Sequence, residues 1–98
     1  MILCKVVGTV TASSSGPMDH PGPYLLLQEC SKKGESGKGY HIALDTLGAG
    51  PGEMVLLSQG SSARQTESSS QKAIDAVIVG IVDIVEDAGE VVYDKSNA

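Results

Sequence analysis

Residues 73–86, AIDAVIVGIVDIVE, permit few folds. The run is built mainly from Val and Ile, whose branched Cβ atoms stiffen χ1 and suit a pleated strand better than a helix. Gly80 interrupts its middle, and Asp75 and Asp83 punctuate it. The expectation is one long strand, bent near Gly80, that serves two sheet regions. Such a strand needs partners, and the rest of the chain supplies them. Residues 2–12, ILCKVVGTVTA, place Ile2, Cys4, Val6, Gly8, Val10 and Ala12 on one face, with Lys5, Thr9 and Thr11 on the other. That is the period of a half-buried strand, with Gly8 marking a bulge or sharp bend. Tyr24–Cys30 is a second strand. Tyr40–Leu44 is a third, alternating Tyr40, Ile42 and Leu44 against His41 and Ala43. Glu53–Ser58 is a fourth, apolar enough to be covered on both faces, and Val91–Tyr93 adds a short last one.

The segments between are turn chemistry. Residues 13–23, SSSGPMDHPGP, hold three prolines and two glycines and exclude a regular element. The loop SKKGESGKG makes Tyr24–Leu44 a β-hairpin, and Lys32, Lys33 and Lys38 give its tip positive charge. Exposed lysines also keep edges from pairing with strangers, which needs no ligand. Residues 59–72 are polar. Ser61 or Ser62 can cap one short helix over Ala63–Thr66. About five main strands with glycine bends and almost no helix describe an all-β chain: a small five-stranded barrel, closed or partly closed, of the oligonucleotide/oligosaccharide-binding (OB-like) type with one short helix.

At 98 residues the chain is one domain, 1–98. It has no Phe or Trp and three tyrosines, so its core is aliphatic and modest. A domain this small gains stability by oligomerising. The net charge of -5 arises in the second half: residues 1–48 carry four basic and four acidic groups, residues 49–98 three and eight. That balance suits a solvated surface and is a poor match for phosphate backbones. Cys4 and Cys30 lie in apolar runs outside any CxxC or Cys/His spacing, as buried thiols do, with a cross-strand disulfide the alternative. Nothing reads as a signal peptide, and no apolar run approaches the ~18 residues of a membrane helix, so a cytoplasmic setting is expected.

The stretch Asp45–Arg64, DTLGAGPGEMVLLSQGSSAR, is the part with character. Gly48-Ala49-Gly50-Pro51-Gly52-Glu53 looks superficially like a dinucleotide fingerprint, but its spacing is GxGxG, a strand follows it, and there is no room for a βαβ unit. Its alternating glycines instead fit positive φ or close backbone approach. Arg64, among small residues, can grip a carboxylate or carbonyls with its planar fork; a plain surface arginine is the alternative. No catalytic set is visible: His20 and His41 are isolated, nothing joins Asp45, Asp75 and Asp83, and the serines lack a His/Asp context. Two dispersed histidines and two thiols give no metal spacing.

Taken together, Gly48–Glu53, Gly60-Ser61-Ser62-Ala63-Arg64 and Ile74-Asp75-Ala76-Val77-Ile78-Val79-Gly80-Ile81-Val82-Asp83 resemble the EutN/CcmL family of bacterial microcompartment vertex proteins. Lys5-Val6-Val7-Gly8-Thr9-Val10, Leu25-Leu26-Leu27 and Asp45-Thr46-Leu47 match in the same order. The resemblance implies a structural protein without catalytic residues or cofactor, which assembles as pentamers at the vertices of a cytoplasmic polyhedral shell. Hexameric and trimeric shell proteins would be its partners. It also implies shell-interface roles for Gly48, Ala49, Gly50, Gly52, Glu53, Ser61, Ser62, Ala63 and Arg64. The alternative is an OB-type barrel binding single-stranded nucleic acid through Lys32, Lys33 and Lys38. Scarce aromatic platforms and net acidity weigh against it. A small-molecule enzyme would need a pocket joining Asp45, His41 and a serine.

Overall fold

The structure, a computed structural model, describes residues 1–11, 23–59 and 76–97. Five strands close a barrel in the order β1 (Ile2–Val10), β2 (Tyr24–Cys30), β3 (Ser36–Leu44), β5 (Ala76–Ile81) and β4 (Met54–Gln59). A separate two-stranded hairpin follows, β6 (Ile84–Asp87) and β7 (Glu90–Asp94), and the chain ends in a 3₁₀ turn, Lys95–Asn97. The expected helix over Ala63–Thr66 lies outside the described residues. All ladders are antiparallel except the seam between β3 and β5, a parallel contact of one pair, Leu44 with Val77.

The barrel interior is filled by alternate residues, as the period of two demands. Cys4, Val6, Leu25, Leu27, Ala43, Val55, Leu57, Ala76 and Ile78 form one buried cluster. Each fully buried Leu or Ile in it stabilises the fold by about 1.5–3 kcal/mol. Fourth-strand residues of the opposite phase are covered too: Met54 and Leu56 meet Leu3, Cys30, Val82, Val85 and Tyr93, so the β6–β7 hairpin lies against the outer side of β1 and β4. Both faces of β4 are thus enclosed, as its near-continuous apolar run requires.

Most strand ends fall within two residues of expectation, and two boundaries differ by more. The third strand begins at Ser36, four residues early: Ser36 pairs with Cys30 and Tyr40 with Gln28, and Gly37, Lys38 and Gly39 bulge between them within the strand. The hairpin tip is correspondingly short. Ser31 C=O accepts Gly34 N–H at 2.9 Å, Gly34 takes φ 84°, and Ser31 N–H donates to Glu35 C=O at 2.9 Å. Gly39 clears a path for the Glu29 side chain, whose carboxylate would lie 2.7 Å from a Cβ there. The long apolar run also divides later than Gly80. Gly80 still pairs with Leu56, beside a register shift that leaves Val79 without a partner. The break comes at Val82 and Asp83, where Val82 N–H bonds Met54 C=O at 2.8 Å and β4 has no earlier residue to offer. The run does serve two sheets, with β5 in the barrel and β6 in the hairpin.

In β1 the bulge expected at Gly8 is present: Val6 pairs with Leu27 and Gly8 with Leu26, which leaves Val7 unpaired and half exposed. In β3 the inward face is His41 and Ala43, while Tyr40 and Ile42 face solvent.

Candidate functional site

The loop between β3 and β4, residues 45–53, continues the line of β3 along β5. Asp45 N–H donates to Pro23 C=O at 3.0 Å, and Asp45 Oδ1 accepts Leu47 and Gly48 N–H, both at 3.0 Å. That Asx arrangement starts the turn locally, as Asp does well. Thr46 Oγ1 donates to Ile78 C=O at 3.0 Å and so lengthens the single-pair parallel seam by a side-chain bond. Gly48 at φ 75° reverses the backbone, and Ala49 packs against the barrel core.

Gly50-Pro51-Gly52-Glu53 then forms a turn of type II character. Pro51 presets the first corner, Gly52 has the φ of 82° that the second corner needs, and Glu53 N–H returns to Gly50 C=O at 3.2 Å. The turn is stitched to β1 on both sides, by Gly52 N–H to Val6 C=O at 2.9 Å and Val6 N–H to Glu53 C=O at 3.0 Å. Glu53 closes it from within: Oε1 accepts Gly50 N–H at 2.5 Å and Oε2 meets Lys95 Nζ at 2.6 Å. The hydrogen bond from Lys95, then that from Gly50, hold the Glu53 carboxyl below its usual range. Lys95 is raised in return, chiefly by the same bond.

Five of the nine expected interface residues, Gly48, Ala49, Gly50, Gly52 and Glu53, are therefore brought into one braced loop. A Cβ at Gly48 or Gly52 would meet nothing within 4 Å. These two glycines serve backbone conformation, and the space above them is open. Ser61, Ser62, Ala63 and Arg64 lie outside the described residues. Gln59, two positions before Ser61, stands at the other end of β4 from Glu53, roughly 20 Å away at the rise of a strand.

At that far end Gln59 joins a polar cluster that local sequence pattern does not reveal. His41 Nε2 lies 2.6 Å from Glu29 Oε2, and Gln59 Nε2 lies 3.2 Å from His41 Nδ1. Amide-to-Nδ1 donation leaves the Nε2 proton for Glu29. Asp45 and His41 are engaged by different partners about 13 Å apart along the strand, so the enzyme arrangement does not form between them. Lys95 is the other participant that sequence reasoning missed. It sits in a polar tail, and only the fold brings it to Glu53.

The remaining charged and thiol groups are accounted for separately. Lys32 pairs with Asp87 of the β6–β7 hairpin, and Lys38 belongs to β3, not to the tip. The cysteines are free thiols. Cys4 packs inside the barrel and Cys30 against the outer hairpin, so the two strands direct them to opposite sides. Burial pushes the Cys4 thiol up to about 11, with further contributions from Cys30 and Glu29, and burial also raises Cys30.

Comparison with known proteins gives a consistent picture. The family described as "Ethanolamine utilisation protein EutN/carboxysome" matches residues 1–83. The carboxysome shell vertex protein CcmL of Synechocystis is 39% identical over 97% of this chain and 95% of its own. The solved structure of Gloeobacter violaceus CcmL superposes with a TM-score of 0.91 at 38% identity, covering 98% of this chain and 99% of that one. The pentameric microcompartment shell protein GrpN of Rhodospirillum rubrum gives a TM-score of 0.79 at 41% identity, over 90% and 100%. A closed five-strand barrel, a glycine turn braced by its own glutamate, and these matches along almost the entire length place the chain in the EutN/CcmL family of microcompartment shell vertex proteins.

Proposed function

We propose that five copies of this chain close into a ring that fills a vertex of a bacterial microcompartment shell in the cytoplasm, and that it works by shape, not by catalysis. The likeness to shell vertex proteins over nearly the whole chain, one of them a pentamer, carries the reading. The braced loop supports it. Leu47, Gly48, Pro51 and Gly52 are exposed and carry little side-chain bulk beyond Leu47, so a neighbouring backbone can approach closely. Hexameric and trimeric shell proteins are the partners this surface would meet, with Ser61, Ser62, Ala63 and Arg64 contributing a second contact. Arg64 supplies a directional grip on a partner carboxylate or carbonyl.

Native mass spectrometry of the full chain tests the ring, with a five-chain species expected. A strictly one-chain species at assembly concentrations overturns it. Co-expression with hexameric shell proteins tests the contact: Arg64→Ala should lower incorporation into shells several-fold while leaving the thermal midpoint unchanged. Unaltered incorporation removes that role from Arg64. Binding of single-stranded nucleic acid is the less favoured reading. One of its three lysines is paired with Asp87 and another sits on a strand apart from the tip.

A further inference from the structure

A cleft of about 420 Å³ opens where the β2–β3 tip and the outer side of β1 meet β7. Lys5, Lys33, Asp94 and Asn97 give it polar walls, and Val92 and Tyr93 supply apolar lining. Its size is that of a small-molecule site.

The two lysines reach it by different routes. Lys5 is half buried and of opposite phase to the inward Cys4 and Val6. A Cβ at Gly34 would lie 3.3 Å from both Lys5 Cε and Tyr93 Cδ1, and 3.4 Å from Lys5 Nζ. Gly34 therefore leaves the room in which the end of Lys5 passes beside the buried Tyr93 ring, with its stem held and its ammonium at the cleft. Lys33 comes from the tip, where its N–H donates to Ser31 Oγ at 3.2 Å. Lys32, its neighbour, is taken up by Asp87, which ties the tip to the β6–β7 hairpin and so joins the two walls.

Neither Lys5 nor Lys33 has a carboxylate at ion-pair distance among the described residues. Asp94 is the one carboxylate lining the cleft, and its Oδ1 accepts Ser96 N–H at 3.0 Å and Ser96 Oγ–H at 2.7 Å. In a chain of net charge -5, this cleft gathers two ammonium groups against one carboxylate. Like charges converging on a concave site focus a field that draws an ion of opposite sign.

We propose that the cleft between the tip, β1 and β7 binds a small organic oxyanion, a carboxylate or phosphate monoester that also carries a hydroxyl group. The oxyanion lies between the Lys5 and Lys33 ammonium groups. The hydroxyl donates to Asp94 and accepts from the Asn97 amide, and the carbon skeleton rests on Val92 and Tyr93. Two cations beside a carboxylate suit one small anion. A nucleic-acid strand would need a basic track that continues beyond them. The site uses no residue of the 45–53 loop and is independent of the ring reading.

Calorimetric titration of the full chain at constant ionic strength tests this, with glycerol 3-phosphate, lactate and inorganic phosphate as probes. Saturable binding of glycerol 3-phosphate or lactate at millimolar concentration is expected, and the tighter of the two identifies the anionic group. Lys33→Met, at an exposed position, should weaken that binding about tenfold, the loss of one charge-assisted hydrogen bond. Lys5→Met should do the same; if it loses its β-sheet signal, Lys33→Met carries the test. Lys38→Met, on β3, should change nothing. Asp94→Asn keeps an acceptor for Ser96 and should tighten inorganic phosphate by removing a like charge. No saturable binding of any probe overturns the proposal. So does undiminished binding in Lys33→Met, or an equal loss in Lys38→Met, which would mark diffuse charge and not a site.

Discussion

Lys95 Nζ lies 2.6 Å from Glu53 Oε2, so the residue that opens the terminal 3₁₀ turn holds the carboxylate that braces the glycine loop. The depressed Glu53 carboxyl contributes stability that is whole above the ordinary glutamate range and is lost as pH falls through its lowered value. The raised Lys95 amine contributes stability that is whole at neutral pH and is lost only as pH rises through its raised value. Between those limits the clasp is intact. Lys95→Met should move the acid unfolding midpoint to higher pH and speed amide exchange at Gly50, measured by melts across an acid series and by hydrogen exchange. An unchanged acid limb would show that the contact contributes nothing.

The two glycines that flank Pro51 should respond differently to alanine. Gly52 sits at φ 82°, where an L-side chain is strained by about 1–2 kcal/mol although the space around it is open. Gly50 is not in that region, and a Cβ would lie 3.4 Å from Glu53 Oε1, an ordinary contact. Denaturant midpoints should therefore fall for Gly52→Ala and barely move for Gly50→Ala. Equal losses would mean that close approach, not φ, selects glycine at both places.

The turn of the β6–β7 hairpin contains a residue that strains its own backbone. Ala88 at φ 53° and Gly89 at φ 82° form a two-residue turn with both corners in the left-handed region. Asn tolerates the first corner much better than Ala, and Asn-Gly is a favoured pair in such turns. Ala88→Asn should raise stability by roughly 0.5–1 kcal/mol, a relief of part of the left-handed cost. A thermal midpoint equal to or below wild type counts against the turn geometry.

The Cys4 thiol, held at about 11 by burial, has roughly 100-fold less thiolate than an ordinary cysteine at the same mildly alkaline pH. Alkylation of the folded protein should be slow at Cys4 and become fast in denaturant. Because the folded value is raised, the associated stability is complete below the ordinary thiol range and is lost as pH rises through about 11. Mass mapping after timed iodoacetamide treatment checks the rate. Rapid native labelling of Cys4 would mean that β1 opens easily.

Much of the barrel is legible in the residues themselves. Cys4 and Val6 alternate inward as the sequence period requires, and Gly8 marks the bulge in β1. EMVLLS has no polar face, and both of its faces are indeed covered. Period alone does not set phase, however. Tyr40 and Ile42 are the more apolar set in β3, yet His41 and Ala43 point inward, because Leu27 opposite His41 is committed to the core. The start of β3 was hidden for a related reason. Gly37, Lys38 and Gly39 have poor strand propensity, and their place as a bulge within the strand goes with Glu29 filling the room that Gly39 leaves. The glycine motif showed its conformational demand locally, but the residue that holds its bracing carboxylate, Lys95, lies 42 positions after Glu53 in the chain.

The β3–β5 seam has a consequence for the order of synthesis. Leu44 finds Val77 only after the chain between them has been made, and Glu53 finds Lys95 later still. A ribosome delivering the chain from its N-terminus exposes the β1–β3 meander and the glycine loop before either closure exists. Contacts this distant in sequence form late and slowly. The glycine loop acquires its final clasp only when Lys95 is in place, so a chain still short of that residue holds the loop by Glu53 and β1 alone.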